Sequence, residues 1–152
     1  MNDSIDIRGF VTVDFYDIEG NYLRSIREHN LVTTAGKDYI MKKVLTDYSV
    51  AGTAITKIAL GEGSTPPDVT DIALENEKER MFIDQIFNTN NVGTFSTLAR
   101  AGTASGPTQE AGLYTNEFTP TLVSRIVFSS SFNKDPAEAI QINWELKIGS
   151  DS

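Results

Sequence analysis

Apolar residues alternate with polar ones along several stretches of the chain, and this alternation predicts β-strands. In the clearest stretch, Ile140, Ile142, Trp144, Leu146 and Ile148 are separated by polar residues. Near the start, apolar positions 5, 7, 11, 13 and 15 also share one parity, with a glycine at position 9 as a candidate bulge. Because successive side chains of a strand point to opposite faces, each stretch is expected to bury one face of a sheet.

A turn signal follows the first stretch and predicts a long opening hairpin. Residues 17–21 read DIEGN, in which Gly20 is the residue expected to take a positive φ. The chain then returns as a second predicted strand over residues 22–32. Further runs rich in β-branched and aromatic residues predict strands over residues 55–60, 81–87, 93–99 and 122–132.

One helix is predicted, over residues 35–46, with Thr33 or Thr34 as its N-cap. Its apolar stripe consists of Ile40, Met41, Val44 and Leu45. A short helical turn is also expected within residues 70–80. Many strands with a single helix favour a mainly β fold, either an antiparallel β-sandwich or a jelly roll with one short helix, over a parallel α/β fold.

Length and charge narrow the classes of function. The 152 residues predict a single β-rich domain, residues 1–152, with an N-terminal arm over residues 1–8. The net charge of −8 disfavours nucleic acid and anionic membranes as partners. There is no cysteine, which excludes disulfides and thiol catalysis. The polar start and the lack of an apolar run of about 20 residues predict synthesis in the cytoplasm without a membrane span.

The sequence offers weak candidates for reactive or metal-binding groups. His29 is the single histidine, no Gly-x-Ser-x-Gly motif is present, and a structural role at a strand end is favoured for this ring. A group of acidic residues suggests calcium, although its spacing fits no EF-hand loop and a solvated charged face is favoured. The group consists of Asp68, Asp71, Glu75, Glu77 and Glu79. No cofactor, metal or catalytic residue is predicted.

The segment over residues 55–80 is the most informative part of the chain. A short apolar strand leads into four residues assigned to turn formation, Gly61, Gly63, Pro66 and Pro67. The two glycines lack the lysine of a phosphate-binding P-loop and do not match a dinucleotide-binding fingerprint. The segment is therefore interpreted as a structural element.

Aromatic residues leave one binding alternative open. Tyr16, Tyr22, Tyr114 and Trp144 would form a carbohydrate platform if they were displayed together. Trp144 lies in the apolar row of its strand, which favours core packing for this residue.

Several short motifs follow one another along the chain: residues 29–32 (HNLV), 34–36 (TAG), 58–67 (IALGEGSTPP), 71–77 (DIALENE) with Arg80, 110–114 (EAGLY), 122–125 (LVSR) and the closing strand. The order of these motifs resembles that of small structural proteins of tailed bacteriophage virions. The resemblance covers nearly the whole chain. It extends to head decoration and accessory capsid subunits and to collar, neck, tail and fibre components.

This resemblance implies a non-enzymatic assembly subunit located in the virion, and the favoured interpretation is a head decoration or cement subunit. The implied partners are further copies of the chain, a homotrimer among the options, and other virion proteins such as the major capsid protein. Ile5 and Ile7 of the N-terminal arm are predicted assembly contacts, because an arm of this kind adds a strand to a neighbour. The alternatives are a tail, collar, neck or fibre component and a carbohydrate-binding β-sandwich module.

Overall fold

A computed structural model describes residues 6–149, which fold into two antiparallel sheets and one α-helix. The first six strands are β1 (Ile7–Arg8), β2 (Phe10–Tyr16), β3 (Tyr22–His29), β4 (Leu31–Val32), β5 (Ile55–Gly61) and β6 (Glu77–Phe82). The other five are β7 (Gln85–Thr89), β8 (Val92–Ala99), β9 (Gly106–Thr115), β10 (Leu122–Lys134) and β11 (Ala139–Ile148). Sheet A has the order β3-β2-β11-β8-β7 with β1 beside β11, and sheet B has the order β4-β10-β9-β5-β6.

The two sheets pack face to face around one apolar core, which confirms the predicted sandwich. Trp144 is fully buried at the centre of sheet A, as its place in the alternating row predicts. Buried side chains from sheet A are Val11, Val13, Phe15, Ile140 and Ile142, and those from sheet B include Ile58, Leu60, Leu113, Ile126 and Phe128. The period-two pattern of the sequence therefore corresponds to the inner faces of the sheets.

The helix α1 (Thr34–Val44) begins directly on strand β10. The side chain of Thr33 caps it by accepting a hydrogen bond from the N–H of Gly36 at 2.9 Å. A Cβ on Gly36 would lie 2.7 Å from the Cα of Val123, so only glycine permits this approach. The predicted helix and cap are confirmed, although the helix ends at Val44 and not at residue 46.

Two predicted strands are each divided between the sheets. Residues 22–32 form β3 in sheet A and β4 in sheet B, and residues 81–87 fall on β6 in sheet B and β7 in sheet A. At the second crossing, Ile83 N–H donates to Thr56 O at 2.8 Å and Asp84 N–H donates to Ser96 O at 2.8 Å. These two bonds attach consecutive residues to different sheets, which explains the break in the strand.

Two further expectations about the middle of the chain are wrong. Strand β9 lies between β10 and β5 in sheet B, although the sequence pattern predicts no strand over its residues. No helical turn forms within residues 70–80, because this part of the chain is a loop until β6 begins at Glu77.

Candidate functional site

A long loop, residues 62–76, folds over the outer face of sheet B and is held there by the carboxylate of Glu110. Oε1 accepts hydrogen bonds from Gly63 N–H at 3.0 Å and Asn76 N–H at 2.7 Å, and Oε2 accepts one from Glu75 N–H at 3.0 Å. Glu110 lies on the central strand β9 and is fully buried. One side chain therefore satisfies backbone donors from both ends of the loop.

Arg125 neutralises this buried carboxylate. Its guanidinium donates to Glu110 Oε2 from Nε at 3.2 Å and from Nη2 at 2.9 Å, and Nη1 lies 2.9 Å from Asp71 Oδ2 in the loop. Burial lowers the pKa of Arg125, but the hydrogen bonds and charges of Glu110 and Asp71 outweigh it and place the pKa above its ordinary value. We call Asp71, Glu110 and Arg125, with the loop amides that Glu110 binds, the loop clasp.

The glycines of the GEG motif make room for the loop clasp. A Cβ on Gly61 would lie 2.6 Å from Glu110 Oε1, and a Cβ on Gly63 would also lie 2.6 Å from this oxygen. Neither glycine has a positive φ, and Gly61 is the last residue of β5. These two glycines therefore serve close packing and not the turn formation that the sequence predicts. Gly20, by contrast, has a φ of 86° in the predicted hairpin turn.

A small apolar cluster seals the loop clasp from one side. It consists of Ala59, Leu74, Tyr114 and Leu122, all buried. The hydroxyl of Tyr114 accepts a hydrogen bond from Leu74 N–H at 3.1 Å, and the Arg80 guanidinium lies 3.9 Å from the centre of the Tyr114 ring. Burial raises the pKa of Tyr114 above its ordinary value.

Carboxylates of the acidic group that suggested calcium bind different partners. Asp68 accepts from Thr70, and Glu75 accepts from Ser64 N–H and the Thr65 hydroxyl. Glu77 forms an ion pair with Arg80 at 2.7 Å. Within residues 6–149, no group of three or more His, Asp or Glu side chains is arranged to hold a metal ion. Pro66 and Pro67 lie in the covering loop, outside any strand or helix.

The motifs that carry the family resemblance meet in this region. Residues 58–67 and 71–77, Arg80, residues 110–114 and Arg125 build the loop clasp and its apolar cluster. Residues 34–36 contact the same face, because Thr34 N–H donates to Val69 O at 2.8 Å. Glu110 is 0% exposed and Arg125 is 2% exposed. This arrangement fixes a loop, and its two central charged groups are closed to solvent.

Other sequence candidates lie elsewhere. His29 ends β3, and its ring centre lies 4.1 Å from that of Phe10 on β2. Tyr114 and Trp144 are 2% and 0% exposed, so two of the four aromatic residues of the carbohydrate alternative are buried.

Sequence analysis missed Glu110 and Arg125 as a functional pair. The available signal was a glutamate and an arginine inside otherwise apolar or small-residue runs.

The predicted assembly contacts are only partly within the described residues. Ile7 pairs with Ile148 of the chain's own strand β11 and packs against the core. Ile5 lies outside residues 6–149. The prediction that the arm adds a strand to a neighbour therefore stays a prediction.

An open apolar groove lies between α1 and the β7 edge of sheet A. It has a volume of about 380 Å³, and its lining includes Ile40, Val44, Ile55, Ile86 and Phe95. Val44 is 70% exposed and Ile86 is 59% exposed. The core of the sandwich therefore extends to the surface at this corner.

Lys134 is a second buried cation, at the end of β10. Its Nζ donates to Arg100 O at 3.1 Å, and its side chain is fully buried. Burial lowers the pKa of Lys134, against the opposing charge of Glu138. Between the lowered pKa and the ordinary lysine value of about 10.4, the unfolded chain binds more protons, so this residue's contribution to stability rises with pH.

We therefore expect Lys134→Met to be at least as stable as the original chain at neutral pH, because methionine needs no hydration. The difference in free energy of unfolding between the two proteins should change in favour of the original chain as the pH approaches about 10. Urea denaturation of both proteins across this range measures that difference. A difference that is independent of pH would contradict the account.

No protein-family model matches the chain, and comparisons with curated proteins and with solved structures likewise found no match. Among residues 6–149, no helix is long and apolar enough to cross a membrane.

Proposed function

We propose that the chain is a non-enzymatic structural subunit of a tailed bacteriophage virion. Among the positions in the virion, we favour that of a head decoration or accessory capsid subunit. The observation that carries this proposal is the convergence of the resemblance motifs on one sealed loop clasp. The special residues of those motifs, two glycines, an ion pair and a capped helix start, are used to fix loops on a sheet. Residues that fix loops on a sheet indicate a rigid surface, and a rigid surface suits contact with other proteins.

The exposed apolar residues support association with other proteins. Large apolar side chains more than half exposed include Ile18, Met41, Val44, Leu45, Tyr48, Ile72, Phe82, Ile86, Phe87 and Phe118. Val44 and Ile86 of this set line one common groove, and contiguous exposed apolar surface on a folded domain typically marks an interaction site. Copies of the chain, a trimer among the options, and the major capsid protein are the proposed partners.

A tail, collar, neck or fibre position is the alternative within the same class, and the same observations support it. A carbohydrate-binding module is less well supported, because Tyr114 and Trp144 are buried and leave Tyr16 and Tyr22 of the proposed platform. The rings of Tyr16 and Tyr22 contact each other edge to face, with centres 6.1 Å apart.

Cosedimentation with phage particles tests the proposal. The purified chain is added to intact heads, expanded heads and isolated tails of the phage that encodes it, with an unrelated acidic β-sandwich of similar size as the control. We expect saturable binding to heads above the control level. Binding to tails alone would favour the alternative position. Absence of binding to every particle would overturn the proposal, and binding to a glycan array would then favour the carbohydrate-binding module.

A further inference from the structure

Strand β7 forms an unprotected edge of sheet A. Its sequence, QIFNT, contains no charged residue and no proline, and all five residues are exposed. By contrast, the opposite edge strand β3 contains Arg24, Arg27 and Glu28, and the edge strand β6 of sheet B contains a run of four charged residues, 77–80. Charged side chains are the usual protection of a sheet edge against pairing with another chain. Strand β7 lacks this protection.

The hairpin register shows which backbone groups of β7 face outward. Thr89 pairs with Val92 across the two-residue turn Asn90 and Asn91, and Asn90 has a φ of 54°. In such a hairpin the residues flanking the turn form a hydrogen-bonded pair, and bonded pairs then alternate along the ladder. Gln85, Phe87 and Thr89 therefore bond to β8. The N–H and C=O groups of Ile86 and Asn88 point away from the sheet.

The side chains of β7 are accessible on both faces. Ile86 pairs with Phe95 and lines the open groove on the inner side. Phe87 is 52% exposed and has the opposite parity, so it lies on the outer side. Because the groove is open, neither sheet B nor α1 covers the inner side of this edge.

We propose that β7 binds β7 of a second copy of the chain, antiparallel, about a two-fold axis at Phe87. In this register Ile86 is opposite Asn88 of the second copy, and both outward N–H and both outward C=O groups of each strand form hydrogen bonds. Phe87 is opposite its own counterpart in a non-hydrogen-bonded pair, where cross-strand side chains lie closest. The edge is thus self-complementary, as a two-fold contact requires.

Charge also favours this edge as the place where two copies meet. Each copy carries a net charge of −8, so contact through acidic surfaces is opposed by repulsion. Strand β7 has no charged side chains that would face each other across the two-fold axis. Lys43, beside the groove, donates to Thr53 O at 2.7 Å within its own chain. We expect association to strengthen as added salt screens the long-range repulsion. The biological purpose of this contact rests on the proposed function, although its geometry does not.

A single cysteine at the two-fold axis gives a direct test, because the chain contains no other cysteine. In the proposed register the Cα atoms of Phe87 and its counterpart are about 4.5 Å apart, within the range of a disulfide. Under mild oxidation, Phe87→Cys should form a disulfide-linked dimer at least about tenfold faster than the exposed edge control Leu23→Cys on β3. Ile86→Cys should also be slow, because it is opposite Asn88 of the second copy.

Sedimentation velocity over about 1–100 µM tests the same contact without a crosslink. The original chain should shift from monomer to dimer, and Phe87→Lys should remain monomeric, because like charges would meet at the axis. The thermal midpoints of the two proteins should agree at the lowest concentration, where both are monomers. Leu23→Lys should dimerise as the original chain does. Equal crosslinking rates at positions 87 and 23, or a dimer that survives Phe87→Lys, would overturn the inference. A chain that binds phage heads but stays monomeric would refute this contact alone, and a dimer that binds no particle would refute the proposed function alone.

Discussion

Replacing Arg125 by methionine is expected to lower the free energy of unfolding by about 3–5 kcal/mol, the largest loss we expect from a single change in side-chain charge. The variant leaves the carboxylate of Glu110 fully buried without its guanidinium partner. Removing one member of a buried pair is costly because the remaining charge keeps its desolvation penalty. Urea or thermal denaturation measures the loss, and limited proteolysis should locate new cleavage within residues 62–76.

Lys42→Met provides the matched control. Lys42 forms an ion pair with Asp38 on the surface of α1, with side chains 41% and 61% exposed, so its removal should leave the free energy of unfolding nearly unchanged. Adding Glu110→Gln to Arg125→Met removes the unpaired charge and keeps an oxygen for the loop amides. The two losses should therefore not add. A loss from Arg125→Met as small as that of the control would show that the loop clasp is not needed for stability.

Replacing Gly9 by alanine is expected to cost about 3 kcal/mol, because the new methyl group would enter the neighbouring strand. A Cβ at this position would lie 2.6 Å from the carbonyl carbon of Glu145 and closer to its oxygen. Strands β1 and β2 share one register with β11, Arg8 with Lys147 and Val11 with Trp144, so no residue is inserted between them. Gly9 is therefore a close-packing position and not the bulge that the sequence predicted.

Gly93→Ala is the control for this prediction, because Gly93 pairs with Leu146 on the other side of β11. A Cβ there would meet a single ordinary contact, 3.9 Å from the Phe95 ring. Its free energy of unfolding should stay within about 1 kcal/mol of the original chain or rise slightly. Equal effects of the two substitutions in chemical denaturation would contradict the packing argument.

Local patterns were sufficient to predict part of the fold. The opening hairpin with Gly20, the helix with its Thr33 cap and the alternation of β11 each depend on neighbouring residues. The crossings at residues 30 and 83–84 depend instead on which sheet offers a backbone partner. Strand β9 was missed because Gly106, Pro107 and Gly112 interrupt its apolar pattern. Strands β10 and β5, which lie on either side of β9, form the hydrogen bonds that hold it in the sheet, and the sequence of β9 alone does not indicate this pairing.

The loop clasp was harder to predict than the sheets. Glu110 and Arg125 are 15 residues apart, and their strands meet in an antiparallel pair whose register the sequence does not determine. Asp71 joins them from a loop that was expected to contain a helical turn. The informative residues were Gly61 and Gly63, because small residues beside a carboxylate on the next strand leave space for it. Their significance becomes evident only when β5 and β9 are seen side by side.

Cryo-electron microscopy of virus particles produced from the genome that encodes the chain tests the proposed virion location most directly. The account predicts density for this two-sheet domain at symmetry-related positions of the particle, with the loop clasp ordered and apolar surface in contact with other virion proteins or further copies. Mass spectrometry of the same purified particles should detect the chain in stoichiometric amount. Particles that are complete and infectious without the chain in their structure would contradict the account.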